Sequence, residues 1–300
     1  MINNFNPLVR KIILLGISVL IVGLVIWASQ PRSQKFDGQR AFADLEEQVS
    51  FGPRIPGSEA HAQTVEYIRK VLEENRWSVE TQETSILNQP VLNVIGKKGE
   101  GSPWIILGAH YDSRLIADHD PDPQKWGQPV PAANDGASGV AVLLELARVI
   151  PSDFKGQTWL VFFDAEDNGR IPGWDWILGS QAFVRDLKGQ PDAVVIVDMI
   201  GDADLNIFEE RNSDPELTRE IWNIANSLGY SKEFIAQPNH SILDDHTPFL
   251  RAGIRAVDII DFDYPYYHTS QDTPDKTSAD SLQAVGDTLL EFLTQRNRKQ

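Results

Sequence analysis

The feature that most constrains this chain is a set of short, continuously apolar runs that each end in titratable side chains. WIILGAH (104–110), TWLVFFDA (158–165), AVVIVDMIG (193–201) and AVDIID (256–261) read as buried strands. Helical patterns lie between and beyond them. Ala62, Val65, Ile68 and Leu72 mark one face of a helix that begins after Pro56-Gly57-Ser58. GVAVLLELARVI (139–150) is apolar almost all round, Glu216–Leu228 is helical, and an amphipathic helix carrying Leu282, Val285, Leu289 and Phe292 ends the chain. Two shorter candidate strands lie near Trp77–Glu83 and Val91–Ile95. Apolar strands alternating with helices predict an α/β fold, with a largely parallel central β-sheet and helices on both faces. His110, Asp164 to Asp167, Asp198 and Asp261 all fall at or just past strand C-terminal ends. In open α/β sheets that edge is where ligands bind.

Composition narrows the chemistry. The chain has no cysteine, so thiolate catalysis and disulfides are excluded and any metal must be held by His and carboxylates. Asp and Glu number 43 against 27 Lys and Arg, a formal net charge of -16. That argues against nucleic acid or anionic lipid as the main partner, since phosphate binding needs clustered basic side chains.

Five potential metal ligands punctuate the strand ends and adjoining loops. They are His110 in GAHYDS, Asp135 in AANDGASG, Asp167 in FFDAED, Asp198 in VDMIGD and His268 in YYHTSQD. Glu166 and an Asp244-Asp245-His246 cluster stand near them. Imidazole and carboxylate together suit Zn²⁺, and a catalytic site keeps one position open. Asp135, followed by Gly136, reads either as a ligand or as the cap of the 139–150 helix, and the Asp-Asp-His cluster equally suits capping of TPFLRAG. Capping does not account for so many donors on one sheet edge.

The N-terminus is a separate piece. Arg10 and Lys11 precede an uncharged apolar run over residues 12–28. Its length is near the lower limit of roughly 17 residues for a membrane-spanning helix. The run predicts an uncleaved transmembrane anchor with Trp27 at the interface, and a cleaved signal peptide is the alternative. Residues 1–31 are thus expected to form the anchor, with a polar tether over 29–38. A single catalytic domain is expected over 32–300. Basic residues before the run predict an extracytoplasmic domain, periplasmic or at the cell surface.

The series HYDS, NDGASG, FFDAED, DMIG, DDHTPFL and HTSQDT resembles, in that order, the zinc aminopeptidase superfamily of the M28 type. Within it the chain looks most like the glutaminyl cyclases (glutaminyl-peptide cyclotransferases), particularly the bacterial form. HYDSR followed by ADHDPDP, the Glu166-Asp167 pair and DDHTPFLRAGI carry the narrower likeness. The resemblance runs from Phe51-Gly52-Pro53-Arg54 to Leu293. It implies a zinc aminopeptidase, phosphorylase/hydrolase-like fold that acts on peptide or protein N-termini. Asp135, Asp167 and His268 would be the ligands of one zinc, Glu166 the general base and acid, and Asp198 and Asp245 hydrogen-bonding carboxylates that position substrate and proton. The implied reaction converts an N-terminal glutamine to pyroglutamate with release of ammonia. The alternative is a two-zinc aminopeptidase, with His110 and Asp198 holding the second ion and Asp135 bridging. Asp167 favours the cyclase branch, because two-metal relatives commonly carry Glu there. A third reading, an inactive binding module on the same fold, fits poorly with the survival of Glu166 and every ligand position.

Trp174 and Trp176, in the loop IPGWDW, read either as walls of a glutamine pocket or as ordinary packing over the core. Tyr267 stands before His268 where the cyclases resemble one another in having Trp, a departure in the expected pocket wall. The prolines of ADHDPDP predict a rigid solvated loop rather than a calcium site.

Overall fold

Local sequence explains where most elements begin and end. In the computed structural model, which describes residues 35–151 and 154–298, the first helix, α1 (Gly38–Ser50), is capped by Asp37, whose side chain accepts from the backbone N–H groups of Gln39 and Arg40. Ser58 caps α2 (Glu59–Glu74) in the same way through His61 N. A hairpin follows, β1 (Ser78–Ile86) and β2 (Gln89–Glu100), turned at Leu87 and Asn88, whose φ values of 52° and 66° suit a two-residue hairpin loop. Next come β3 (Trp104–His110), α3 (Ala137–Val149), β4 (Gly156–Phe163), α4 (Leu178–Asp186), β5 (Ala193–Asp198) and β6 (Ile207–Glu209). Asp214-Pro215 opens α5 (Pro215–Leu228), which Gly229 closes in a left-handed conformation. The chain then runs through β7 (Phe234–Pro238), α6 (His246–Arg251), β8 (Ala256–Ile260) and α7 (Ala279–Arg298). Residues Lys35–Gln300 cluster as one compact unit.

The six-stranded sheet has the order β1-β2-β4-β3-β5-β8. β4, β3, β5 and β8 are mutually parallel, as the apolar runs predicted. The β1–β2 and β2–β4 pairings are antiparallel, so β2 runs against the other five strands and the sheet is largely parallel with one reversed strand. The physical reason is the connection, because a two-residue turn cannot make the crossover a parallel pair needs. Alternate residues of the central strands feed two cores. Ile105, Leu107, Ala109, Val195 and Val197 pack with α1, α3, α5 and α7, while Ile106, Val194 and Ile196 pack with Phe183 of α4 and Phe249 of α6.

Other differences from the sequence expectation are local. Phe36, Asp37 and Gly38 were expected in the tether, but Phe36 is buried and Gly38 N donates to Gln283 Oε1 at 2.8 Å. α1, α4, β6 and β7 are not among the elements expected from the sequence patterns above. On α2 the buried face runs through Ala60, His61, Thr64, Ile68, Val71 and Leu72, leaving Ala62 exposed. The proposed transmembrane helix at 12–28 lies outside the described residues. Among the described residues no helix is long and apolar enough to cross a membrane.

Candidate metal centre

Two strand ends and three loops bring the donors together at the C-terminal edge of the parallel strands. His110 is the last residue of β3 and Asp198 the last of β5. Glu166 and Asp167 follow β4, Asp135 immediately precedes the start of α3, and His268 lies in the loop after β8. Backbone conformations uncommon for side-chain-bearing residues recur here. Ala132, Ala165, Met199 and His268 have φ of 60°, 53°, 46° and 57°. Such residues persist where surrounding structure over-determines them, and they cluster at functional sites.

Asp135 sits between two imidazoles. Its Oδ1 is 3.1 Å from His110 Nε2 and its Oδ2 is 3.7 Å from His268 Nε2. His268 Nε2 also lies 2.7 Å from Asp167 Oδ1, and His110 Nε2 lies 3.2 Å from Asp198 Oδ1. Two possible ligand groups therefore share Asp135: Asp135, Asp167 and His268, and His110, Asp135 and Asp198, each with donor atoms within 4.8 Å. Asp135 does not cap α3. The N-cap residue is Gly136, and no side chain caps that end. Gly136 has φ 102°, and a Cβ there would meet the His110 ring at 2.9 Å, so glycine lets the loop close onto the imidazole.

Neighbouring carboxylates orient these groups through the backbone. Asp272 accepts from Asn134 N (2.8 Å), Asp135 N (3.1 Å) and the Tyr264 hydroxyl (2.8 Å). Asp112 accepts from Glu166 N (3.0 Å) and Asp167 N (3.3 Å). Arg114, almost fully buried, donates to Asp167 O at 2.7 Å and binds both oxygens of Asp118 at 2.7 Å. Asp118 in turn lies 3.7 Å from His268 Nδ1. Arg54, from the FGPR segment, fastens the end of β3 to the segment before Asp135. Its guanidinium donates to the carbonyls of Tyr111, Pro131 and Ala132 at 2.9, 3.0 and 2.5 Å.

Burial and like charge shape the electrostatics. Burial pushes Glu166 well above the usual carboxyl range; His110 opposes, while Asp167, Asp244 and Asp245 raise it further. Burial likewise raises Asp167, and it raises Asp198 to about 7 against the pull of His110. His268 is lowered to about 3, chiefly by burial, so its ring is neutral and a lone pair is free to bind a metal. Asp135 Oδ2, Asp167 Oδ2 and His268 Nδ1 are buried with no hydrogen-bond partner. Buried carboxylate oxygens without donors are costly, and a cation among them removes the cost. One imidazole nitrogen with two carboxylates suits zinc, and the Asp118 carboxylate beside Nδ1 is the usual outer partner of such a ligand.

These side chains line a cavity of about 320 Å³ that also admits Trp176, Tyr267, Asp118, His119, Ile242 and Phe262. Trp176 stacks parallel to His268 (centroids 6.0 Å, interplanar 14°), and the Arg114 guanidinium lies over the Trp176 ring at 5.1 Å from its centroid. Gly169 makes this possible, since a Cβ there would fall 2.0 Å from the indole. Trp174 does not line this cavity. It packs against Val91, Ala165, Leu178 and Ala182, because the turn closed by Trp174 N and Ile171 O aims it at the core. Asp245 is fully buried and does not line the cavity, and its carboxylate is among the charges that raise Glu166.

Sequence reasoning missed Asp112, Arg114, Asp118, His119 and Asp272. Asp112 and Arg114 were legible only as part of HYDSR. Asp118 and His119 belong to the ADHDPDP run expected to be solvated, yet they face the cavity. Asp120 in that run is taken up by the Ser270 backbone and hydroxyl, which pins the loop beside His268.

A mixed sheet with helices on both faces and a His–carboxylate centre at its C-terminal edge defines a zinc-exopeptidase-like α/β protein. The Peptidase family M28 model matches residues 93–293, and the chain belongs to that family. It is 30% identical over 223 residues to aminopeptidase YwaD of Bacillus subtilis, covering 67% of this chain and 43% of that one. It is 26% identical over 225 residues to the glutaminyl-peptide cyclotransferase of Bothrops jararaca, covering 60% of this chain and 59% of that one. The chain thus spans about half the length of these curated relatives. The crystal structure of Bacteroides thetaiotaomicron glutaminyl cyclase bound to N-acetylhistamine superposes with a TM-score of 0.80 at 32% identity, covering 87% of this chain and 98% of that one. The resemblance to glutaminyl cyclases on the M28 fold therefore holds in sequence and in structure.

Proposed function

We propose that this chain is a zinc-dependent glutaminyl-peptide cyclotransferase that converts the N-terminal glutamine of peptides or proteins to pyroglutamate. The observation that carries this reading is the placement of Glu166, buried and beside Asp135, Asp167 and His268, in a small cavity walled by Trp176 and Tyr267. Asp135, Asp167 and His268 would hold one zinc, which supplies Lewis acidity toward the glutamine γ-carbonyl. Glu166 takes a proton from the attacking α-amine and returns it to the departing ammonia, completing an intramolecular acyl transfer. Asp198, at the cavity wall, positions the amine, and Asp245 favours a protonated Glu166 between the two steps. Trp176 and Tyr267 fold the glutamine side chain back on its own backbone. The anchor reading of residues 12–28 makes the enzyme membrane-tethered and extracytoplasmic.

A second reading is favoured by one observation. His110 and Asp198 converge with Asp135 as a second group of three donors, as a two-zinc aminopeptidase requires. One experiment separates them: ammonia release from a Gln-initiated peptide, hydrolysis of a Leu-initiated amide and zinc content, on the same preparation. Cyclisation with one active-site zinc supports the proposal. Hydrolysis of the amide, lost together with zinc in His110→Ala, replaces it with the aminopeptidase, and inactivity on both substrates points to a binding module. Glu166→Gln is expected to lower turnover by roughly 10²–10⁴-fold with zinc retained.

A further inference from the structure

Behind Asp244, which lines the cavity, a second set of donors is buried in the fold. Asp258 lies in the middle of β8, opposite Ile196 of β5, and its side chain is fully buried. No N–H group donates to either of its carboxylate oxygens, Asp244 Oδ2 and His246 Nδ1 are equally without a donor or acceptor at hydrogen-bond geometry, and His246 Nε2 faces Glu210. Asp244 Oδ1 is used, accepting from Asp245 N. Asp244, His246 and Asp258, all buried, each present a ligand atom within 4.8 Å of the others.

The group beside them has the form of an outer support. His246 Nε2 is 3.4 Å from Glu210 Oε2, and His246 Nδ1 is 3.6 Å from Asp258 Oδ2. Glu210 is itself fixed by Ile242 N, Asn212 N, Ser213 N and the Ser213 hydroxyl at 2.7–2.9 Å. A carboxylate held this firmly against one ring nitrogen keeps the proton there and leaves the other lone pair facing Asp258. Burial raises the Asp258 carboxyl, and Asp244, Asp198 and Glu210, all acidic, add to it. Such a concentration of buried acid needs a positive charge or shared protons.

We propose that Asp244, His246 and Asp258 bind a divalent cation of the zinc class, distinct from both ion positions around Asp135, with Glu210 orienting His246. One imidazole nitrogen and two carboxylates suit that class of ion. Asp244 also lines the cavity and gives the ion a route inward. The bound ion ties β8 to the loop before α6, the segment that carries Asp245. The proposal does not depend on which reaction the active site performs.

The test is anomalous X-ray scattering on wild-type crystals grown with zinc chloride, recorded above and below the zinc edge. A peak between Asp244, His246 and Asp258 is expected, separate from any peak at Asp135. Metal analysis of the full chain purified without added metal adds a second measurement. Asp135→Asn is expected to retain about one equivalent of tightly bound divalent ion, and Asp258→Asn to lose one equivalent and melt at lower temperature. No peak at the cluster overturns the proposal. So does an Asp258→Asn protein with unchanged metal content and an unchanged or higher Tm, which assigns the cluster to carboxyls sharing protons. A peak at the cluster in a protein without cyclase activity would sink the functional reading and leave this one standing.

Discussion

At the residue scale, the site depends on side chains whose placement is set by a missing atom elsewhere. Trp176 lies over His268 only because Gly169 leaves its Cβ position open. Gly169→Ala must push the indole aside, since the new carbon would fall 2.0–2.2 Å from its ring atoms. The expected result is a KM raised by about tenfold and a stability loss of about 1–3 kcal/mol, as for other overpacked sites. Steady-state kinetics and thermal melting check both. A KM equal to wild type would show that Trp176 does not bound the substrate. The candidate ligands and Glu166 were legible from residue type, order along the chain and the family resemblance those motifs carry. Trp174 and Trp176 were not separable, because two residues of spacing in an irregular loop says nothing about which ring turns inward.

At the scale of elements, loops carry the chemistry and buried ionic side chains hold the loops. Glu210 is the clearest case. Four backbone or hydroxyl donors and the nearby His246 converge on its carboxylate, joining the segment after β6 to the segment before α6. Burial works against the charged form, yet these partners, His246 first, bring its pKa from 4.5 down to about 2. Its contribution to stability is therefore fully present above about pH 4.5 and is lost as pH falls from there toward 2. Glu210→Gln is expected to cost about 2 kcal/mol at pH 7, allowing for solvent screening, with the gap to wild type closing below pH 4.5. Chemical denaturation at pH 7 and pH 3 measures it. A gap of equal size at both would mean that packing, and not charge, is what Glu210 provides.

At the scale of the whole molecule, the fold gathers Asp135, Glu166, Asp167 and Asp198 into one buried space that favours a bound cation. Metal binding only to the folded state stabilises it by about 2.7 kcal/mol at a free concentration one hundred times Kd. For a domain of this size that corresponds to a Tm shift of roughly 5–10 °C. Dialysis against a chelator is expected to lower the melting temperature by that amount, and stoichiometric zinc to restore it, as read by calorimetry. A Tm indifferent to both treatments would remove the metal from the account of stability.

The sequence by itself determined the α/β class, the four parallel strands and the family. Those depend on local apolar runs and on the order of short motifs, which survive without knowledge of the fold. It placed His110 and Asp198 on one sheet edge through the strand ends, and the family resemblance of its motifs implied that Asp135, Asp167 and His268 join them. Tertiary structure alone decided the antiparallel hairpin at the sheet's edge, whose turn is made by Leu87 and Asn88 with no glycine to announce it. It alone turned Trp174 toward the core and brought Asp118 and His119 to the cavity. It also joined Asp258 of β8 to the Asp244–His246 segment and to Glu210. In each case the deciding contact is between residues far apart in the chain or in a loop, where no periodicity records which way a side chain points.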